Sequence, residues 1–271
     1  KSEGVLSEGP DRLIYNTLVS CWAQSDRTGK APKAYRILAK MKRLARDGVE
    51  NMHPDSGTYN EVLRACAYGK PNAFLAQRVL EELYSDYKSG LETLKPGCNS
   101  FNMVLSAWAR SDHPEAAERA EALFVEMQRL QSSGELSCCD IVTYNTFLNC
   151  LAKANRRSDA ERAERIVLTL KLQSEKNKSA LKLDSYTYGC LVVAWTRVGD
   201  FVRAEAVLRE MYRQHLAGNI SVKPRRHHFD SLLRGLSYLD DDKAAERKQA
   251  VVQMMEVLYP KSNVPLESLS S

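Results

Sequence analysis

Asn16, Asn60, Asn102 and Asn145 each stand directly after an aromatic residue: Tyr15, Tyr59, Phe101 and Tyr144. The same slot recurs as Gly189 after Tyr188 and as Asp230 after Phe229. An asparagine amide offers a hydrogen-bond donor and an acceptor side by side. Neither catalysis nor a single binding motif needs such a pair repeated; a stacked array does. The rest of the chain adds no reactive set. It has no glycine-rich phosphate loop, no acidic cluster for metal-dependent cleavage, and no His-x-Glu with Cys-x-x-Cys of the zinc deaminase kind. Cys138-Cys139 lacks a second pair at zinc spacing, and His227-His228 lacks a third ligand. The expectation is therefore a binding protein, with no catalytic residues, no metal and no cofactor.

Positioning these side chains takes regularly spaced elements. The six slots are separated by 44, 42, 43, 44 and 41 residues, a period that marks a repeat architecture. Two and three residues after each slot come apolar pairs such as Val62/Leu63, Val104/Leu105 and Leu191/Val192. Five after it comes a small residue: Cys21, Ala65, Ala107, Cys150, Ala194 or Gly235. That spacing predicts a helix with one packed face and a point of close approach to a neighbour. A second pattern, Ala-x-x-apolar-apolar-x-x-Met/Leu, follows as Ala34-Ile37-Leu38-Met41, Ala76-Val79-Leu80-Leu83 and Ala120-Leu123-Phe124-Met127. It continues as Ala163-Ile166-Val167-Leu170 and Ala204-Val207-Leu208-Met211, with Lys248-Val251-Val252-Met255 as a weaker sixth copy. This is an amphipathic second helix whose charged face reads as solvated surface. His53-Pro54-Asp55, Lys95-Pro96-Gly97 and Lys223-Pro224-Arg225 mark connectors, because proline cannot continue a helix.

Helix, turn, helix and connector make one unit. An isolated helical hairpin cannot hide its apolar faces, so the units must stack. The predicted fold is all-α, a right-handed α-solenoid of stacked helix-turn-helix repeats. The units span 12–55, 56–97, 98–140, 141–184, 185–225 and 226–260. Residues 1–11 read as the end of a preceding repeat, because Gly9-Pro10-Asp11 fills the slot of His53-Pro54-Asp55. Residues 261–271 read as a flexible polar tail.

The 271 residues are 44% hydrophobic, enough for a sizeable core, and carry a net charge of +5. That mild excess allows a polyanionic partner without requiring one. No apolar run reaches the length of a membrane helix, so no membrane partner is expected. Seven cysteines, with Cys21, Cys66, Cys150 and Cys190 placed in the predicted helices as buried apolar residues, suggest a reducing compartment without disulfides.

The stretches IVTYNTFLNCLAKA with AERIVLTL, and FNMVLSAW with AEALFVEM, resemble the pentatricopeptide repeat family. That family's unit opens Val-Thr-Tyr-Asn-Thr-Leu-Ile, continues with Ala-x-x-Leu-Phe-x-x-Met and ends in Lys-Pro-Asp. The likeness runs from residue 12 to about 258. The spacing of 41 to 44 exceeds the family's usual 35 or so, mostly after the second helix. The tetratricopeptide repeat, with hairpins of about 34 residues, fits less well because its Trp/Leu-Gly/Tyr pattern is missing.

The resemblance implies a partner, single-stranded RNA, read at one base per unit. Two side chains read: the residue after the aromatic and the last residue of the unit. A third, three residues before the first reader, wedges between neighbouring bases. Carried onto this chain, unit one offers wedge Leu13 with Asn16 and Asp55, unit three Asn99 with Asn102 and Asp140, and unit four Val142 with Asn145 and Asp184. In the family an Asn–Asp pair implies uridine. Unit two offers Gly57 with Asn60 and Gly97, a pyrimidine-leaning set without a wedge. Unit five offers Tyr186 with Gly189 and Arg225, which matches no known pair; unit six offers His227 with Asp230, and its end is undefined. The implied target is 5′-U-Y-U-U-N-N-3′. The resemblance also implies a mitochondrion or plastid, and a role in RNA processing, stabilisation or translation beside other organellar RNA-processing proteins or the ribosome. No small-molecule substrate is implied.

Capping accounts for Asp55, Asp140 and Asp184 as well as RNA reading does, since each precedes a helix. It does not account for asparagines inside helices, where Asn is a poor former. Arg225 and Arg226 in the run KPRRHHF suit phosphates or plain solvent. A rival reading is a protein-binding scaffold or ribosome-associated subunit without base reading, favoured by Gly57, Gly97, Gly189 and Arg225.

Overall fold

The structure, a computed structural model, describes residues 11–137, 139–175, 181–239 and 242–260. The readings placed on 1–10 and 261–271, and the Cys138 half of the cysteine pair, lie outside the described residues. Those residues form twelve α-helices and no strand. They fall into two compact units, 1–150 and 151–271.

In the first unit, Asp11 starts α1 (Arg12–Gln24) by accepting the Ile14 N–H at 2.9 Å. This satisfies one of the donors that a helix start leaves orphaned. Gly29, at φ 77°, turns the chain into α2 (Lys30–Arg46). The pattern repeats as α3 (Ser56–Ala67) with α4 (Ala73–Lys88), and as α5 (Cys98–Arg110) with α6 (Ala116–Ser132). α7 (Ile141–Lys153) starts next. Each hairpin closes on itself: α1 on α2, α3 on α4, α5 on α6. First helices also stack on one another, α1 on α3 and α3 on α5, while α2 reaches α3 and α4 reaches α5.

The stacking follows from which residues are small. α2 buries Ala31, Ala34, Leu38 and Met41, α4 buries Ala73, Ala76, Leu80 and Leu83, and α6 buries Ala117, Ala120, Phe124 and Met127. In each seam alanine at the helix start admits the first helix closely, and larger residues fill the widening gap behind it. α3 buries Val62, Leu63, Ala65 and Cys66, and α5 buries Val104, Leu105, Ala107 and Trp108. In α1 the corresponding Leu18 and Cys21 are exposed, because no described helix packs on that side. Cys21 is thus not the buried residue its pattern predicts.

The connectors hold a further regularity. Met52, Leu94 and Leu136 are all buried, Met52 packing against Tyr15 and Met41. The extra residues after each second helix therefore carry apolar anchors of their own, and Glu92–Leu94 coils into a short 3₁₀ turn to deliver one.

In the second unit, α8 (Arg157–Glu175) packs on α9 (Ser185–Arg197), and α9 on α10 (Phe201–Leu216) and α11 (Arg226–Leu236). α11 closes on α12 (Asp242–Leu258). Val222 plugs the connector before α11 from another 3₁₀ turn, Ile220–Val222. The buried seam of α12 runs through Ala244 and Val251, while Val252 and Met255 are only half-buried.

The charged faces of the second helices do more than meet solvent. Lys42 of α2 pairs with Asp86 of α4 at 2.8 Å, and Tyr35 donates to Glu82 at 2.6 Å. In the second unit Lys171 and Glu164 of α8 meet Glu210 and Arg203 of α10. Such half-exposed pairs contribute at most about 1 kcal/mol each, yet they set the register of neighbouring second helices.

Candidate functional site

Aromatic anchors orient the slot residues. Tyr59 is buried between α3 and α4, its hydroxyl donating to the Asp86 carboxylate. Burial first, and that carboxylate second, push the phenol's pKa far above its usual value. In the second unit the Tyr188 hydroxyl accepts from Gln214 of α10 at 3.2 Å. With the aromatic pinned toward the second helix, the next residue turns toward the neighbouring first helix.

In unit one this brings the expected pair together. Asn16 Nδ2 donates to Asp55 Oδ2 at 3.2 Å, across 39 residues of chain. Asn16 Oδ1 accepts from the Thr58 hydroxyl at 2.6 Å. Asp55 is also the N-cap of α3: it accepts the Thr58 amide at 2.8 Å, and Thr58 Oγ1 reaches back to the Asp55 amide at 3.3 Å. This reciprocal arrangement is a capping box. Burial raises the Asp55 pKa, but the Thr58 amide and hydroxyl, then Arg12 and Asn16, outweigh it and hold the carboxyl below its ordinary range. Asp55 therefore caps a helix and fixes an amide at once.

In unit two Asn60 Oδ1 accepts from the Ser100 hydroxyl at 2.7 Å. Gly97, the N-cap of α5, supplies no side chain. In unit three Asp140 accepts both the amide and the hydroxyl of Thr143, at 2.9 and 3.0 Å. Asn102 makes no bond to it, and its Oδ1 is buried with no hydrogen-bond partner. Asn16, Asn60 and Asn102 are half-buried, whereas Asn145 is only 7% exposed. Asp184 caps α9 through a second capping box with Thr187.

The wedge positions project outward. Leu13 is 71% and Val142 56% exposed, large apolar side chains that the core does not claim. Gly57, Asn99, Tyr186 and His227 are exposed as well, as are Gly97, Arg225 and Asp230. Gly189 is buried and lies against His228 of α11. His228 Nδ1 accepts the Arg225 amide at 3.2 Å. Burial first, then His227 and Arg225, drive its pKa down to about 4, so the ring is neutral.

The residues that sequence reasoning missed are those just before the aromatics: Thr58, Ser100 and, by position, Thr143, Thr187 and His228. The signal was present as hydroxyls in four of five cases. Among the described residues no group of three or more His, Cys, Asp or Glu is placed to hold a metal ion, and no helix is long and apolar enough to cross a membrane.

The family model of the PPR repeat matches residues 142–163 and 186–216. No curated protein matches the chain. The crystal structure of the pentatricopeptide repeat protein PPR10 from maize is similar, with a TM-score of 0.49 and 20% identity. The similarity covers 92% of this chain and 35% of that one, so the chain spans about a third of that protein's length. The matched stretches cover most of α7 and α9, two of the first helices described above, with their Tyr-Asn and Tyr-Gly slots, so that two of the repeated units match the PPR repeat model directly.

Proposed function

We propose that the chain binds single-stranded RNA with sequence selectivity, one base per repeat and with a preference for uridine. It acts by occupancy in a mitochondrion or plastid, shielding or holding open a transcript segment during processing, stabilisation or translation. The match of two units to the PPR repeat model supports RNA as the ligand class. The observation that carries base reading is the Asn16 amide held between Asp55 and Thr58. One N–H and one lone pair are taken, which leaves one of each. A uracil edge, with a carbonyl beside an imino N–H, is complementary to that remainder. The exposure of Leu13, three residues earlier on the same helix, supports its role as the wedge that stacks on the neighbouring base.

Asn60 and Asn102, in the same slot, extend the reading to the second and third bases, and Asn145 to the fourth. The implied target remains 5′-U-Y-U-U-N-N-3′. A scaffold without base reading is favoured by Gly57, Gly97, Gly189 and Arg225, which break the reading sets of units two and five. Selection of RNA from a random pool decides between them. Base reading predicts enrichment of uridine at the positions facing Asn16 and Asn102; a pool enriched in no sequence refutes it and leaves the scaffold.

A further inference from the structure

The fifth slot is empty of a side chain because its space is occupied from the next helix. A Cβ built on Gly189 would collide with Nε2 of His228 and lie 3.0 and 3.1 Å from Cε1 and Cδ2. In unit one the same contact is made by Asn16 and Thr58, and in unit two by Asn60 and Ser100. There the first helix supplies a long side chain and the next helix a short hydroxyl. Between α9 and α11 the sizes are exchanged, glycine against imidazole. Neither partner can be replaced alone: asparagine at 189 has no room, and a hydroxyl at 228 leaves a void.

The ring is also fixed. Nδ1 accepts the Arg225 amide, so the neutral imidazole carries its proton on Nε2, which is the atom facing Gly189. His228 is only 2% exposed. It fills the reading slot without offering an edge to a ligand.

The geometry points to residue 228 as a specificity-determining residue of the neighbouring unit: His228 closes the reading slot at Gly189 and makes the fifth unit indifferent to base. The inference rests on the base-reading function proposed above and assigns which unit does not read. Each reading residue is then matched to the residue before the next aromatic, as Asn16 with Thr58, Asn60 with Ser100 and Gly189 with His228.

The test rebuilds in the fifth unit the trio seen at Asn16, Thr58 and Asp55. Binding of single-stranded RNA oligomers differing only in the fifth base is measured for the wild-type chain and for G189N/H228T/R225D. The wild type is expected to bind all four within about twofold, and the triple variant to prefer uridine by about tenfold. The same oligomers varied at the first base report whether Asn16 reads. Selection at the first base without a gain at the fifth in the triple variant overturns this inference alone, as does a wild type that already discriminates the fifth base.

No selection at any base refutes base reading itself, and a stability measurement then decides the steric claim. G189N should melt lower than the wild type by about 5 °C, and H228T added to it should recover most of that shift. A G189N variant as stable as the wild type overturns the proposal whatever the RNA result.

Discussion

Replacing Asp55 tests whether one carboxylate does both of the jobs the structure gives it. Asp55→Ala removes the cap on α3, worth about 1 kcal/mol. It also removes the charged acceptor for Asn16 Nδ2, at 3.2 Å and half-buried. A hydrogen bond to a charged group contributes about 1.5–3 kcal/mol in favourable cases, and length and solvent bring this one to roughly 1 kcal/mol. The alanine variant should therefore lose about 2 kcal/mol. Asp55→Asn keeps a side-chain oxygen for the Thr58 amide and is as good a cap, so its loss should stay below about 1 kcal/mol.

The two variants also separate in pH. The folded carboxyl titrates below its ordinary value, so its contribution is fully present above the unfolded value, about 3.9. It is lost as pH falls through the folded value. The advantage of the wild type over Asp55→Asn should fade below about pH 4 and be constant from pH 5 to 7. Urea unfolding followed by far-UV circular dichroism reads both effects. Equal losses in the alanine and asparagine variants, or a wild-type advantage unchanged at pH 3, would show that the Asp55 carboxylate does not hold Asn16.

Other outcomes follow from single contacts. Tyr59→Phe deletes the bond to Asp86 and should cost about 1–2 kcal/mol in urea unfolding; the loss stays moderate because Lys42 still pairs with that carboxylate. Met52→Ala empties the plug against Tyr15 and Met41 and should cost about 2–4 kcal/mol, far more than an ordinary loop substitution. Val142→Ser, at an exposed position, should leave the melting temperature unchanged while weakening RNA binding about fivefold in fluorescence anisotropy.

Much of the fold was legible because its cause is periodic. Apolar residues two and three places after each slot, with a small one at five, specify a packed helical face, and α3 and α5 bury those residues. The same offsets fail in α1, where Leu18 and Cys21 are exposed; a pattern records which face packs and not whether a neighbour is there. The connector plugs Met52, Leu94 and Val222 were passed over because one apolar residue in a loop has no period to declare it.

At the site, the Asn column and the aspartates after the connectors were visible as residue types. The double use of Asp55 was not, since holding Asn16 while capping α3 depends on α1 and α3 lying side by side. Gly189 looked like a broken reader. Its meaning lies 39 residues away in His228, a pairing that only the packing of α9 on α11 discloses.

Base selection by the asparagines of the repeated slot is open to direct measurement. The most direct measurement compares binding at physiological salt of two single-stranded RNA oligomers, 5′-UCUUAA-3′ and the same sequence with adenine at the first, third and fourth bases. The first should bind about tenfold more tightly, a difference that persists as salt is raised while both affinities fall. Equal affinities at every salt concentration would contradict base selection.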